Sequence, residues 1–511
     1  MMWIAIIFCA VLVIFVFRFL PFFTVAETLP KRPTGFPPGP FPWPFLGNLP
    51  LIIYHGSLHK TFQSLIPKYG PIFSVFIGPT PAVVLNSIDT YKDAGKLDAF
   101  QGKADIPPFT LWDDAGDGNV GGLALSEGGV HAEQRKFVVK TLRQLTLSTS
   151  TVSIENFFIE EITSLIEHLR TVVGQPLDIR PHLAEVAENL LRKYLVGIPN
   201  EDTDSVQKYK KVVLAPGNAM ITRPISSFFV SFFPKLSQLF PRLSGYNLVR
   251  SENEASNQML RQIIENHRSV GIPINEDCKR LFVHSYLDQI ERTTDDRSTF
   301  YGQMGLRNLA MVIKDLSAGG SESVSEQTTW FVLYLLLHPN VRMKIVEEIE
   351  TIVGFSRVPT KDDFNSMHYT QATLQEVVRI TSLVVFGLFN KTLATTNFHG
   401  FVIPKGTMVI KNSHACHHDK SYWGDPENFR PERFLDDQGK LRRDENIFAF
   451  GSGRRVCVGE TQGRFAMLYF ITLFLQNFQL SVDSSKPAPT LECVETIGLT
   501  AKPFRLVLHH R

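Results

Sequence analysis

Phe450-Gly-Ser-Gly453-Arg-Arg455-Val-Cys457-Val-Gly459 sets one cysteine among glycines, an aromatic and two arginines, and a long apolar stretch follows it. A bare cysteine in a core is usually a small hydrophobe. The neighbours here suit a metal-bound thiolate instead. Glycines let the backbone come close to a flat ligand. A helix beginning at Cys457 would aim free N–H groups and its positive dipole end at the sulfur. Both effects favour the thiolate over the thiol.

The spacing is F-x-x-G-x-R-x-C-x-G, and by it the segment resembles the ligand loop of the cytochrome P-450 family of haem-thiolate monooxygenases. Five fixed identities within ten residues make the resemblance specific. It implies haem b (iron protoporphyrin IX), with Cys457 as the iron ligand and Phe450, Gly453, Arg455 and Gly459 shaping the loop around it. It further implies a thiolate that pushes electron density onto iron and favours O–O cleavage.

Composition agrees with a large enzyme. The chain has 511 residues, 44% of them hydrophobic, with 40 phenylalanines and a formal net charge of +2. Such a balance argues against nucleic acid as a partner, which calls for a basic excess or patch. The five cysteines, Cys9, Cys278, Cys416, Cys457 and Cys493, are scattered without a C-x-x-C pair. Neither a zinc site nor a disulfide framework is supported, and a reducing compartment fits best.

Met1 to Phe17 carries no charge, Arg18 follows, and Phe19 to Val25 is apolar apart from Thr24. This is long enough to cross a bilayer if Arg18 snorkels. A secretory signal peptide is the rival, but there is no basic n-region and no clear cleavage site. Lys31 and Arg32 favour keeping the downstream chain on the cytosolic side. Residues 1–25 therefore read as a transmembrane anchor, 26–44 as a proline-rich hinge and 45–511 as the catalytic domain. The resemblance to microsomal members implies the endoplasmic reticulum membrane, with the domain on its cytosolic face.

Along the domain, Tyr69 to Gly78 and Ala82 to Leu85 look like a strand pair. From Gln134 to about Ile352 the patterns are mostly helical. Short strands are expected between Asn397 and Ile410, and a terminal one at Phe504 to Leu508. The fold class is α+β, mainly helical, with small sheets at the edges.

Glu376 and Arg379 stand three apart on one helix face, which taken alone is a common surface ion pair. The resemblance changes that reading, because Pro431-Glu-Arg433-Phe434 follows where the family keeps P-E-R-F. It implies a buried network of Glu376, Arg379 and Arg433, whose use is to hold a geometry. Further matches are His417-His-Asp419, Trp423-Gly-Asp-Pro426 and Gly498-Leu-Thr500.

The long apolar stretch from Leu306 to His338 is interrupted by Asp315-Leu-Ser-Ala-Gly319-Gly320-Ser-Glu322-Ser323. Adjacent glycines inside a helix cost about 1 kcal/mol each relative to alanine, so they need a local reason. One reason is close helix packing, and the other is a bulge that opens a groove for dioxygen and water. The segment resembles the family's A-G-x-[DE]-T, with Glu322 as the acid and Ser323 as the alcohol, and these two would be the catalytic proton relay. Serine keeps the hydroxyl that threonine has but loses the methyl that restricts its rotamer. Two other positions depart from the family. His131 stands where W-x-x-x-R has tryptophan, ahead of Arg135, and Lys391 stands where histidine or arginine is usual; all three would meet haem propionates.

Gly451-Ser-Gly453 lacks the third glycine of a dinucleotide fingerprint, Gly319 to Ser323 lacks the last glycine of a nucleophile elbow, and no P-loop occurs. Electrons must then come from another protein. By resemblance that is an NADPH-dependent flavoprotein reductase, with cytochrome b5 as a further partner. The implied substrate is a lipophilic small molecule: a hormone, a steroid, a fatty acid or a xenobiotic. By resemblance its pocket comprises Pro108 to Trp112, Phe228, Phe229, Phe232, Phe233, Leu316 to Gly320, Val384 to Leu388 and Ile497. Two other classes stay open, a haem-thiolate isomerase or dehydratase that rearranges a peroxide, and a haem-binding protein without turnover.

Overall fold

The computed structural model describes residues 32–113, 120–147, 153–216, 230–270, 281–495 and 498–511. The expected anchor at 1–25, the start of the hinge, and the pocket positions Phe228, Phe229 and Ile497 lie outside them. No helix among the described residues is long and apolar enough to cross a membrane.

Ten helices matter for the site: α1 (Gly128–Leu147), α2 (Ile154–Arg170), α3 (Arg180–Val196), α4 (Thr203–Val212), α5 (Tyr246–Val270), α6 (Phe282–Arg292), α7 (Gly302–Leu337), α8 (Pro339–Ile352), α9 (His368–Thr381) and α10 (Glu460–Asn477). The strands are β1 (Ile72–Ile77), β2 (Thr80–Leu85), β3 (Gly102–Lys103), β4 (Pro176–Leu177), β5 (Asn390–Lys391), β6 (Thr396–Phe398), β7 (Phe401–Ile403), β8 (Met408–Lys411), β9 (Phe478–Val482), β10 (Cys493–Glu495), β11 (Leu499–Ala501) and β12 (Leu506–His510).

α7 is the axis of the molecule. Leu309 to Ile313 and Trp330 to Leu336 are buried on every side, the pattern of a core helix and not of a surface one. It begins at Gly302, whose φ of +51° suits glycine, and stops before Pro339, which cannot continue it. α3 packs against it most extensively, and α5, α6, α9 and α10 complete its surroundings. α10 supplies a second apolar rod, buried from Ala466 through Gln476.

The sheets lie outside this helical body. The largest has the order β1-β2-β8-β5-β3, with β2 and β8 parallel and the other pairs antiparallel. Its β1–β2 hairpin pairs Ile72 with Leu85 and Ile77 with Thr80. A three-stranded sheet β4-β12-β9 and the hairpins β6–β7 and β10–β11 make up the rest. Three strands of the large sheet end on lysines, Lys103, Lys391 and Lys411, and the first and last of these lie within electrostatic reach of Arg455 in the cysteine loop.

Candidate active site

The helix after Cys457 begins at Glu460, three residues later than the sequence suggests. The intervening Val458 and Gly459 form a turn, and upstream of the cysteine a 3₁₀ turn, Gly453–Arg455, is followed by a hydrogen bond that closes the loop from the Cys457 N–H to the Phe450 carbonyl at 2.8 Å. Glycine at 453 is obligatory. Its φ is +69°, and a Cβ there would fall 2.0 Å from the Gly95 carbonyl oxygen. Phe450 is covered by the Arg464 guanidinium, 4.9 Å from the ring centre. A Cβ on Gly459 would come 3.9 Å from the Cys457 sulfur.

Cys457 as a residue is exposed, yet protein crowds its thiol closely enough for burial to be the largest influence on it. The two observations agree if it faces an internal space and not bulk water. Burial pushes the thiol up, while the Gly459 and Glu460 N–H groups and Arg135 pull it down. The net direction is upward, so the dipole and glycine effects expected to yield a thiolate do not suffice alone. A bound cation would displace the proton.

Around that space the fold gathers cations. His131 and Arg135 come from α1, Arg455 from the loop, Lys103 from β3 and Lys411 from β8. Burial, then Arg455, Arg135 and Lys103, pushes the His131 imidazole down to about 3, so it is neutral. Burial and Arg455 bring Lys411 down to about 8, and burial, Arg455 and Lys411 hold Lys103 well below its usual value. Arg455 donates from Nε and Nη2 to the Gln101 carbonyl at 3.1 and 2.8 Å and from Nη2 to the Ser126 carbonyl at 2.8 Å. Its Nη1 is buried with no partner. An unpaired guanidinium nitrogen among cations that suppress one another's charge is the donor set for an anion, and the two propionates of haem fit it. Lys391 is engaged elsewhere, with Nζ 2.6 Å from Asp105 and 3.3 Å from Glu127. Sequence reading missed Lys103 and Lys411; Lys411 carries one signal, a lone charge ending an apolar strand, and Lys103, in the two-residue strand Gly102–Lys103, carries none. Among the described residues no group of three or more His, Cys, Asp or Glu side chains is placed to hold a bare metal ion.

α7 runs unbroken through Gly319 and Gly320, so of the two reasons expected for the glycines the helix shows no bulge. The two glycines have different reasons. A Cβ on Gly320 would meet Leu191 of α3 at 3.0 Å, so it serves close packing, whereas a Cβ on Gly319 would meet nothing within 4 Å. Gly319 is thus the residue that leaves room. The Ser323 hydroxyl donates to the Gly319 carbonyl at 2.6 Å, one turn back along the helix. Its lone pairs stay available to accept. Burial, with Glu326 and Glu188 adding like charge, pushes the Glu322 carboxyl up to about 7. Val384 and Leu388 are exposed although Leu383 and Val385 between and beside them are buried, so apolar surface is presented from the segment after α9.

The three charged residues at 376, 379 and 433 are brought together without solvent. Glu376 accepts from Arg379 Nε at 2.7 Å and Nη2 at 2.9 Å, and from Arg433 Nε at 3.0 Å. Arg379 also donates to the carbonyls of His417 at 2.7 Å and Pro426 at 2.9 Å. This network ties α9 to the segment leading into the cysteine loop. His417 continues it, its Nε2 accepting from the Phe448 N–H at 2.8 Å.

A cysteine in a glycine-rich loop beside Arg135 and Arg455, in a fold whose core helix α7 carries an acid and an alcohol side by side, has the features of a haem-thiolate protein. The cytochrome P450 family model matches residues 37–508. Similar proteins include farnesoate epoxidase of Bombyx mori, 28% identical over 98% of this chain and 99% of that one. Cytochrome P450 2L1 of Panulirus argus is 30% identical over 94% of this chain and 96% of its own. Cytochrome P450 2B19 of Mus musculus is 30% identical over 95% and 96%. The chain belongs to the cytochrome P450 family and is a haem-thiolate monooxygenase.

Proposed function

We propose that this monooxygenase inserts one atom of dioxygen into a lipophilic small molecule, drawing electrons from NADPH through a separate flavoprotein reductase at the endoplasmic reticulum membrane. The observation that carries the reading is Glu322 with a carboxyl near 7 beside the Ser323 hydroxyl, on the one stretch of α7 where Gly319 leaves space. Haem, held by Cys457 with Arg455 and His131 toward its propionates, would supply dioxygen activation. This chain's own part is to bring protons. Glu322 holds one at neutral pH and can release it. Ser323 can accept it at Oγ and pass on its own once the bond to Gly319 swings away. A peroxide rearrangement needs no such supply, which argues against the isomerase or dehydratase reading.

The apolar surface at Val384 and Leu388, with buried Phe109 and Trp112, suits a lipophilic substrate. The relative from Bombyx mori is named for epoxidising farnesoate, an apolar chain with one acid group, which falls within that class. Leu239, Phe240 and Leu243, together with Phe41, Trp43 and Tyr54, are exposed large apolar side chains that support contact with lipid, beside the anchor proposed at 1–25. Lys136, Lys140 and Arg143 are exposed on α1, whose Arg135 reaches toward Cys457. They suit an acidic reductase surface.

The test is a panel of lipophilic compounds given to the full chain in microsomes with reductase and NADPH. Product should require both. Reversing Lys136 and Lys140 to glutamate should slow reduction at low salt without changing substrate binding, since steering between opposite charges is what such residues add. Product formed from a hydroperoxide without reductase, or an N-terminus cleaved with secretion of the chain, would overturn the reading.

Ser323→Ala is expected to raise the fraction of electrons lost as hydrogen peroxide several-fold with little change in substrate affinity. Ser323→Thr should lower that fraction or leave it unchanged, because threonine can make the same bond to Gly319 with a more restricted χ1. Full coupling in Ser323→Ala would show that the hydroxyl carries no proton. Because Glu322 must be protonated to donate, coupling should also fall as pH rises through about 7.

A further inference from the structure

We propose that Glu326, paired with Arg180 at the margin of the molecule, is the inlet through which Glu322 regains its proton from solvent. This rests on the reading of Glu322 as the proton donor. Glu326 lies four residues after Glu322 on α7, hence one turn away on the same face. It is 7% exposed.

A buried carboxylate in the core of a helix is costly, and its oxygens normally find donors. The neighbouring polar side chains follow that rule. Gln327 donates to the Thr381 hydroxyl at 3.2 Å, and Thr328 and Thr329 donate to the carbonyls one turn back at 2.7 and 2.8 Å. Glu326 does not. Its Oε1 stands 3.1 Å from Arg180 Nε, but the Arg180 Nε–H makes no directed hydrogen bond, so the contact is one of charge alone. Its Oε2 is buried with no partner at all. A carboxylate held this loosely, with one oxygen bare, is built to take up a proton and to move.

Arg180 supplies the outer end. It sits at the start of α3, its side chain is 26% exposed, and a guanidinium nitrogen is anchored on the Ala501 carbonyl. Water reaching Arg180 therefore stands one side chain from Glu326 and two from Glu322. The step moves one proton and no electrons. Solvent protonates Glu326 at Oε2, Glu326 gives that proton to the Glu322 carboxylate, and each group returns to its starting charge once Glu322 has donated.

The remaining charged groups facing this pair are Glu188, Glu185 and Asp178, with Lys210 as counter-ion. Glu188 is the rival inlet, across from Glu322 on α3. Its Oε2 lies 3.4 Å from Lys210 Nζ, and neither of its oxygens is buried without a partner. Lys210, shared with Glu185 at 3.7 Å, and Arg192 offset only in part the burial that pushes the Glu188 carboxyl up, so what separates Glu188 from Glu326 is that its oxygen has a cation partner. Like charge from Glu326 and Glu188 also keeps Glu322 protonated near neutrality.

The experiment follows the Glu322 carboxyl directly, by infrared spectroscopy of the full-length holoenzyme, with Glu322→Gln identifying its band. Mixing into D₂O should shift that band as the carboxyl exchanges its proton. Glu326→Gln, which keeps size and shape, should slow the exchange several-fold and move the Glu322 midpoint downward. Glu188→Gln should move the midpoint downward but leave the exchange rate as it is, and Glu326→Asp should restore most of the rate. Unchanged exchange in Glu326→Gln, or exchange slowed in Glu188→Gln instead, overturns the inlet while leaving Glu322 as donor. A Glu322 band that shows no titration near 7 removes the donor itself, and the inlet with it.

Discussion

Cys457→Ala is expected to abolish both turnover and the long-wavelength band that the family's reduced carbon monoxide complex shows. The loop leaves no substitute. Of the described cysteines, Cys416 is buried in a cluster with Tyr91 and Phe448, and Cys493 lies on β10 beside Glu495 and Lys60. Folding of the polypeptide should survive, because the change deletes a single sulfur atom and leaves the backbone of the loop as it is. The loop itself is fixed by Gly453 against Gly95 and by the Cys457 N–H on Phe450, neither of which involves sulfur. Cys457→His separates the two parts of the claim. It should retain haem, held through Arg455, His131 and Arg135, but without the thiolate band and without monooxygenation. An unchanged band in either variant would show that another residue ligates the iron.

The cysteine loop was readable from sequence because its constraints are local. Gly453 takes a φ of +69°, a demand of the loop's own backbone that suits glycine, and the cysteine, arginine and phenylalanine lie within ten residues. The same holds for β1 and β2, where apolar residues bounded by Gly70 and Gly78 leave little choice. Features set by distant neighbours were not readable. Whether Gly320 bends α7 or packs depends on Leu191, which lies on another helix. Lys103 and Lys411 read as surface lysines until β3 and β8 are placed in one sheet and turned toward Arg455. Lys391 is drawn toward Asp105 and Glu127 by the β3–β5 pairing, which no spacing announces. The helix after Cys457 starts three residues later than the sequence suggests because Val458 and Gly459 form a turn first.

Glu376→Ala is expected to cost about 3–5 kcal/mol, the range for removing one partner of a buried ion pair. Glu376 and Arg379 have no exposed side-chain surface, and Arg433 has almost none. Their carboxylate accepts from both guanidiniums and from the Arg430 N–H at 2.9 Å, so its loss strands two positive charges and a backbone donor in the interior. Set against a native stability of about 5–15 kcal/mol, that is enough to leave much of the protein unfolded or short of haem at 37 °C. Urea denaturation followed by circular dichroism measures it. The cost should be strongly sub-additive in Glu376→Ala combined with Arg379→Met, because the second change removes one of the charges that the first leaves unpaired. It should not vanish, since Arg379 also holds the His417 and Pro426 carbonyls, and through His417 the Phe448 N–H at the entrance to the cysteine loop. The network therefore links folding to the iron ligand. A single variant within about 1 kcal/mol of the parent would show that the charges are not desolvated as the structure has them.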